Sequence, residues 1–171
     1  FFVEQGELDL SQIDKEPWSL SNSEIDKWID MVRQNTYCRF SDIGKVRVGI
    51  KTTADKVFIG NRWEKMGDDV PELLRPLITH NIANPYRTLE SDYSGYRVLY
   101  THKMVGGKRA IINIEEYPNS YKYLVKHKKV LEGRKYLIDS GRKWYEIWVP
   151  QNPAYWCFPK LVFVDIAKEP T

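Results

Sequence analysis

Ile25, Trp28, Ile29 and Val32 recur at i, i+3, i+4 and i+7, the spacing that gathers apolar side chains on one face of a helix. Ser21-Asn22-Ser23-Glu24 ahead of them reads as a capping box, with Leu20 and Ile25 placed as a hydrophobic staple, so the pattern predicts a helix over 22–34. Two β-branched and aromatic runs follow, Val46-Arg47-Val48-Gly49-Ile50 and Lys56-Val57-Phe58-Ile59, and predict strands joined by a loop at 51–55, with a sheet under the apolar face of the helix. Residues 60–95 are rich in Gly, Pro, Asn and Asp and predict irregular chain with one short helical stretch near Glu72-Leu73-Leu74-Arg75. Arg97-Val98-Leu99-Tyr100-Thr101 and Ala110-Ile111-Ile112-Asn113-Ile114 flank Val105-Gly106-Gly107-Lys108, a hairpin signal that puts Lys108 and Arg109 near a tip. From Pro118 to Glu132, Tyr121, Leu124 and Leu131 fall on one helix face and Lys122, Lys126 and Lys129 on the other, with Gly133 at the capping position. Trp144–Val149 and Leu161–Val164 read as two more strands, and Trp144 and Trp148, four apart, are expected in the core on one strand face. The pattern as a whole predicts an α+β fold: a mostly antiparallel, twisted sheet region with flanking helices and long irregular loops.

Length and composition fit that picture and add a compartment. The 171 residues, 42% hydrophobic and 29% charged, suit one domain, 1–171, able to bury its own core without disulfides or a structural metal. Cys38 and Cys157 have no CxxC spacing and are expected as reduced core thiols of a cytoplasmic protein. No apolar run approaches the ~20 residues that span a bilayer, so no membrane partner is expected. The start, Phe1-Phe2-Val3, has neither an initiator Met nor a basic-then-apolar leader and suggests a piece of a longer polypeptide. Net charge is only +3, yet residues 1–30 hold eight acids and two bases while 119–148 hold eight bases and three acids. Such a basic segment suits a polyanion or a solvated helix face.

Catalytic chemistry is harder to find. The chain has no GxG turn for a cofactor such as S-adenosylmethionine, and Asn84-Pro85-Tyr86 lacks the second proline of the motif that grips a flipped adenine. His80, His102 and His127 are isolated, without the i, i+4 spacing of a helical metal pair or a nearby cysteine. No Asp/Glu-x-Lys nuclease pattern, GxSxG elbow or Cys/His pair occurs, so no catalytic, cofactor or metal site is expected within this chain. What remains is basic residues interleaved with aromatics: Lys122-Tyr123, Arg134-Lys135-Tyr136 and Arg142-Lys143-Trp144-Tyr145-Glu146. Clusters of this kind suit phosphate contacts beside flat apolar platforms.

The order of segments now resembles a known family. Phe40-Ser41-Asp42-Ile43-Gly44 before Val48-Gly49-Ile50-Lys51-Thr52-Thr53-Ala54-Asp55-Lys56-Val57-Phe58-Ile59 is similar to the opening of TaqI-like C-terminal specificity domains. Leu73–Ile78, Arg97–Tyr100, Tyr123-Leu124 through Gly133-Arg134, Lys143–Glu146 and Pro159-Lys160-Leu161 match later landmarks in order. The resemblance covers about residues 18 to 170. It implies the target-recognition domain of an adenine-specific DNA methyltransferase or type IIG restriction enzyme, with double-stranded DNA and the methyltransferase domain of the same polypeptide as partners. S-adenosylmethionine would belong to that other domain. Thr53 stands where the family often has glycine. Candidate DNA contacts are Lys51, Thr52, Thr53 and Lys56 on the first loop, Lys108 and Arg109 on the hairpin, and Arg142, Lys143 and Lys160 beyond. The alternative is a protein-interaction domain whose basic residues serve solubility alone.

Overall fold

The computed structural model describes residues 23–79, 83–84, 87–88 and 95–163. The chain divides into two units, Phe1–Val48 and Gly49–Thr171.

In the first unit, the expected helix is α1, Ser23–Gln34. Its last carbonyls are satisfied by side chains from just beyond its end: Asn35 Nδ2 donates to Met31 at 2.8 Å and Thr36 Oγ1 to Val32 at 2.6 Å. Three residues of the capping box and staple, Leu20, Ser21 and Asn22, lie outside the described residues. A single turn, α2 (Phe40–Ile43), follows, opened by the Asp42 carboxylate accepting the Arg39 N–H at 2.8 Å. The sheet expected beneath α1 is not part of this unit, whose described residues form α1, α2 and irregular chain.

The second unit is built on β5 (Arg97–Leu99), which lies between β1 (Ile59–Gly60) and β2 (Leu74–Pro76) in an antiparallel sheet of order β1-β5-β2. Ile59 faces Val98, Leu74 faces Leu99 and Pro76 faces Arg97. Val98 and Leu99 are both buried, so the central strand is covered on both sides. The helical stretch expected near Leu74 is therefore a strand. Four residues cannot offset helix nucleation when a strand offers a ladder, and Pro76 is tolerated because β2 is an edge. Trp63, in a 3-10 segment Trp63–Asp69, closes over β1: its Nε1 donates to the Gly60 carbonyl at 2.8 Å. A Cβ on Gly60 would meet the indole at 3.2–3.3 Å, which is why a glycine stands there.

The glycine turn forms as expected, but its strands are β6 (His102–Val105) and β7 (Lys108–Ile111), so the partner of 108–111 is the segment just after β5. Gly106 and Gly107 have φ of +55° and +77°, the two positive angles a tight type I′ hairpin requires. A further two-stranded pair, β3 (Ala83–Asn84) with β4 (Arg87–Thr88), places Asn84 opposite Arg87. Pro85, Tyr86 and His80 lie outside the described residues.

The basic helix is split into α4 (Pro118–Lys126) and α5 (Lys128–Glu132) at His127, and a third piece, α6 (Lys135–Asp139), follows. Leu124, Leu131 and Leu137 are fully buried, while Tyr121, expected inside, is exposed. No residue of this chain stretch caps α4 with its side chain; Glu72, from far upstream, does so. Its carboxylate accepts the N–H groups of Asn119 at 2.9 Å and Ser120 at 2.8 Å and the Ser120 hydroxyl at 2.6 Å.

Four expected strands do not form: 46–50 and 161–163 are irregular, 56–58 are helical and 144–149 is not a strand. Residues 144–149 make one β-bridge, Lys51 with Val149, and are otherwise held by side chains: Thr101 Oγ1 donates to the Tyr145 carbonyl at 3.0 Å and Tyr145 Oη to Ile112 at 3.1 Å. Tyr145 and Ile147 point into the core, so Trp144 and Trp148 alternate outward and are only half-buried. Leu161, Val162 and Phe163 are exposed and irregular. Cys38 and Cys157 are exposed free thiols, not core residues. Among the described residues no helix is long and apolar enough to cross a membrane.

Candidate nucleic-acid interface

The stretch read as a loop and strand at 51–59 is a sharp corner followed by one helical turn, α3 (Asp55–Phe58). Thr52 builds it. Its buried hydroxyl accepts the Ala54 N–H at 3.1 Å and donates to the Asp55 carboxylate, which folds the chain into a turn where β-propensity alone predicted a strand. The corner residue is Thr53, with φ of +60°, a conformation that costs a β-branched side chain and suits glycine. Thr52 thus faces inward, while Lys51, Thr53 and Lys56 are exposed around a shallow groove of about 590 Å³ that also includes Ile50 and Val130.

Arg142 and Lys143 stand at the rim of a second groove, of about 690 Å³, with Lys128, Tyr121, Trp144 and Tyr145. The Arg142 guanidinium lies 4.7 Å from the Trp148 ring centre and donates to the Trp148 carbonyl at 2.7 Å; Lys143 Nζ lies 5.8 Å from Tyr145 and Lys128 Nζ 5.5 Å from Trp144. On the hairpin, Lys108 and Arg109 are exposed, and Arg109 Nη1 donates to the Gln151 carbonyl at 2.8 Å. Lys160 is exposed and donates to the Trp156 carbonyl at 2.7 Å.

Four of the candidates, Lys51, Arg109, Arg142 and Lys143, are therefore gathered on one segment, 142–151. Lys51 pairs with Val149 on it, Arg109 bonds Gln151 on it, and Arg142 and Lys143 belong to it. Among the described residues no bond ties Lys56, Lys108 or Lys160 to this segment. Among the described residues none of Lys51, Lys56, Lys108, Arg109, Arg142, Lys143 or Lys160 forms a salt bridge, whereas Arg33, Arg97, Lys122 and Lys128 each pair with a carboxylate. Cations without acidic partners keep their charge available to an outside anion.

Two residues to which pattern reading gave no buried structural role sit beneath this surface. His102 is buried, with Nε2 3.8 Å from the Glu146 carboxylate, and burial, reinforced by the positive charges of Arg109 and Arg142, lowers its pKa to about 4. Arg134, read in sequence as part of an exposed basic and aromatic cluster, is buried, and burial lowers its pKa as well. Its guanidinium donates to carbonyls of Thr52, Trp144 and Glu146, so it ties the Thr53 corner to the 142–151 segment. Only its place directly after Gly133, at a helix end that must turn inward, hinted at a buried role. Among the described residues no group of three or more His, Cys, Asp or Glu side chains could hold a metal ion.

Helices and small antiparallel sheets joined by loops define an α+β protein, with four of the candidate residues held on one segment of its second unit. No family model matches the chain. It is 42% identical over 99% of its length to the Type II methyltransferase M.BanIII of Aneurinibacillus aneurinilyticus, of which the match covers 30%. It is 30% identical over 90% of its length to the Type II methyltransferase M.PaeR7I of Pseudomonas aeruginosa, covering 25% of that protein. With the Type II methyltransferase M.BstVI of Geobacillus stearothermophilus it shares 26% identity over 88% of its length, 26% of the relative. The chain thus spans between a quarter and a third of the length of these curated relatives.

Proposed function

We propose that this chain is the target-recognition domain, 1–171, of an adenine-specific Type II DNA methyltransferase in a bacterial restriction-modification system. It selects the double-stranded DNA sequence to be modified in the cytoplasm. The methyl transfer, and the S-adenosylmethionine it uses, belong to the catalytic domain of the same polypeptide. The observation that carries this reading is the shape of the match to M.BanIII, which takes in almost all of this chain and under a third of that methyltransferase. The missing GxG turn and missing Asn-Pro-Pro-aromatic motif fit a part that reads DNA while another part performs the chemistry. Arg142 and Lys143 act as phosphate contacts, joined by Lys108, Arg109 and Lys160. Lys51, Thr53 and Lys56 project from the corner toward base edges, and Thr52 serves by shaping it.

The test is duplex binding by the chain across a salt series. Affinity is expected to fall with salt, each neutralised phosphate adding roughly −0.9 to the slope of log K against log salt. Arg142→Ala with Lys143→Ala is expected to weaken binding to every duplex alike and to flatten that slope. Lys51→Ala is expected to relax preference among duplexes, by roughly 1–3 kcal/mol if a bidentate base contact is lost. A slope of zero would instead favour a protein-interaction domain.

A further inference from the structure

Arg134 is buried, with its guanidinium 5.4 Å from the Phe58 ring centre. Nη1 donates to the carbonyls of Thr52 and Glu146, each at 2.9 Å, Nη2 to Trp144 at 2.5 Å and Nε to Leu131 at 3.1 Å. Four backbone carbonyls from three segments distant in sequence thus meet one planar cation, and among the described residues no carboxylate bonds to it. A guanidinium presents its donors in a fixed fork, so it sets the mutual geometry of the groups that accept from it.

The Thr52 carbonyl is the one that matters most. It belongs to the peptide leading into Thr53, where φ is +60°, and it also accepts the Thr53 hydroxyl. A threonine held at this angle persists only where its surroundings over-determine it. Arg134 supplies that constraint on one side and grips the backbone of Trp144 and Glu146 on the other. The exposed side chains of Lys51, Thr53 and Lys56 are thereby fixed relative to Arg142 and Lys143.

We infer that Arg134 is a positioning residue for sequence preference: it holds the Thr53 corner in register with the Arg142–Glu146 segment, so that base contacts and phosphate contacts engage one duplex together. This inference rests on the DNA-reading function proposed above. A lysine in its place keeps the charge but offers a point ammonium without the fork, and cannot hold all four carbonyls.

The experiment uses the 171-residue chain as wild type, Arg134→Lys, Thr53→Gly and the double variant, each equilibrated with a library of randomised duplexes at fixed salt. Bound DNA is sequenced for enrichment, and affinity for the unselected library is measured by fluorescence anisotropy. Arg134→Lys is expected to lower enrichment of the wild-type sequence about tenfold or more, while unselected affinity changes less than about threefold. On top of Thr53→Gly, the same change is expected to cost distinctly less enrichment, because the corner it acts through is already free. Undiminished enrichment by Arg134→Lys, with only its thermal midpoint lowered, would show that Arg134 serves the core alone. An equal loss with and without Thr53→Gly would equally overturn a role through the corner. If circular dichroism shows Arg134→Lys unfolded, Thr53→Gly alone decides, and undiminished enrichment by that variant would sink the inference. A wild-type chain that enriches nothing and binds independently of salt fails the DNA-reading function itself, and the inference with it.

Discussion

Thr53 carries a side chain where its backbone favours none. The left-handed conformation costs a non-glycine residue about 1–3 kcal/mol, while glycine loses roughly 0.5–1 kcal/mol more backbone freedom on folding. Removing the side chain also removes the Thr53 hydroxyl's bond to the Thr52 carbonyl, a further ~1 kcal/mol. At mid-range these terms nearly cancel, so Thr53→Gly is expected to shift the thermal midpoint by no more than roughly 2–4 °C in either direction for a chain of this size. Calorimetry on the single variant checks it, and a lowered midpoint would mean that the hydroxyl bond outweighs the strain. The glycine expected here from the family resemblance has its physical reason in this angle. Sequence could mark the position as one for glycine, but not that a threonine there would be held at +60° by a distant arginine.

At the scale of elements, α4 begins with a tertiary cap. Pro118 has no N–H to satisfy, the next two N–H groups bond to the Glu72 carboxylate, and the buried Ser120 hydroxyl donates to that carboxylate while lying 3.0 Å from the Glu72 N–H as its acceptor. Burial pushes the Glu72 pKa up, but the hydrogen bonds from Ser120, Asn119 and the local backbone outweigh it, and the net shift is downward. Glu72→Ala is expected to cost about 1–2 kcal/mol, the range of lost N-caps, and urea denaturation measures it. Glu72→Gln, which keeps one acceptor oxygen, is expected to cost less. The helix itself was legible from its period and from Gly133, whereas its break at His127 and its cap from 46 residues upstream of Pro118 were not. A carboxylate brought in by folding leaves no mark on local spacing.

For the molecule as a whole, the pH profile follows from His102. Its folded pKa, about 4, lies below the ordinary 6.5, so between those values the unfolded chain takes up a proton that the folded chain refuses. Its contribution is therefore fully present above pH 6.5 and is lost as pH falls toward 4, by roughly 3 kcal/mol over the window. The lowered pKa of Glu72 acts in the same direction, below its ordinary value of 4.5. Urea midpoints at pH 7.5, 5.5 and 4.5 are expected to fall steadily for the wild type and to flatten above 4.5 in His102→Gln. An unchanged slope in that variant would place the acid sensitivity elsewhere.

Period and turn chemistry were enough for α1, for the Gly106-Gly107 turn and for the apolar face shared by Leu124 and Leu131, because each depends on neighbours in sequence. The α+β class followed from their mixture. Strands were the weak point: Val46–Ile50 and Trp144–Val149 have strand composition, but a strand exists only where another strand lies alongside, and 46–50 is irregular while 144–149 makes a single bridge, Val149 with Lys51. The basic candidates could likewise be named by type and cluster. The gathering of four of them on 142–151, the inward turn of Thr52 and the burial of Arg134 were decided by tertiary structure, since carbonyls of residues 52, 131, 144 and 146 can meet one guanidinium only after the chain has folded.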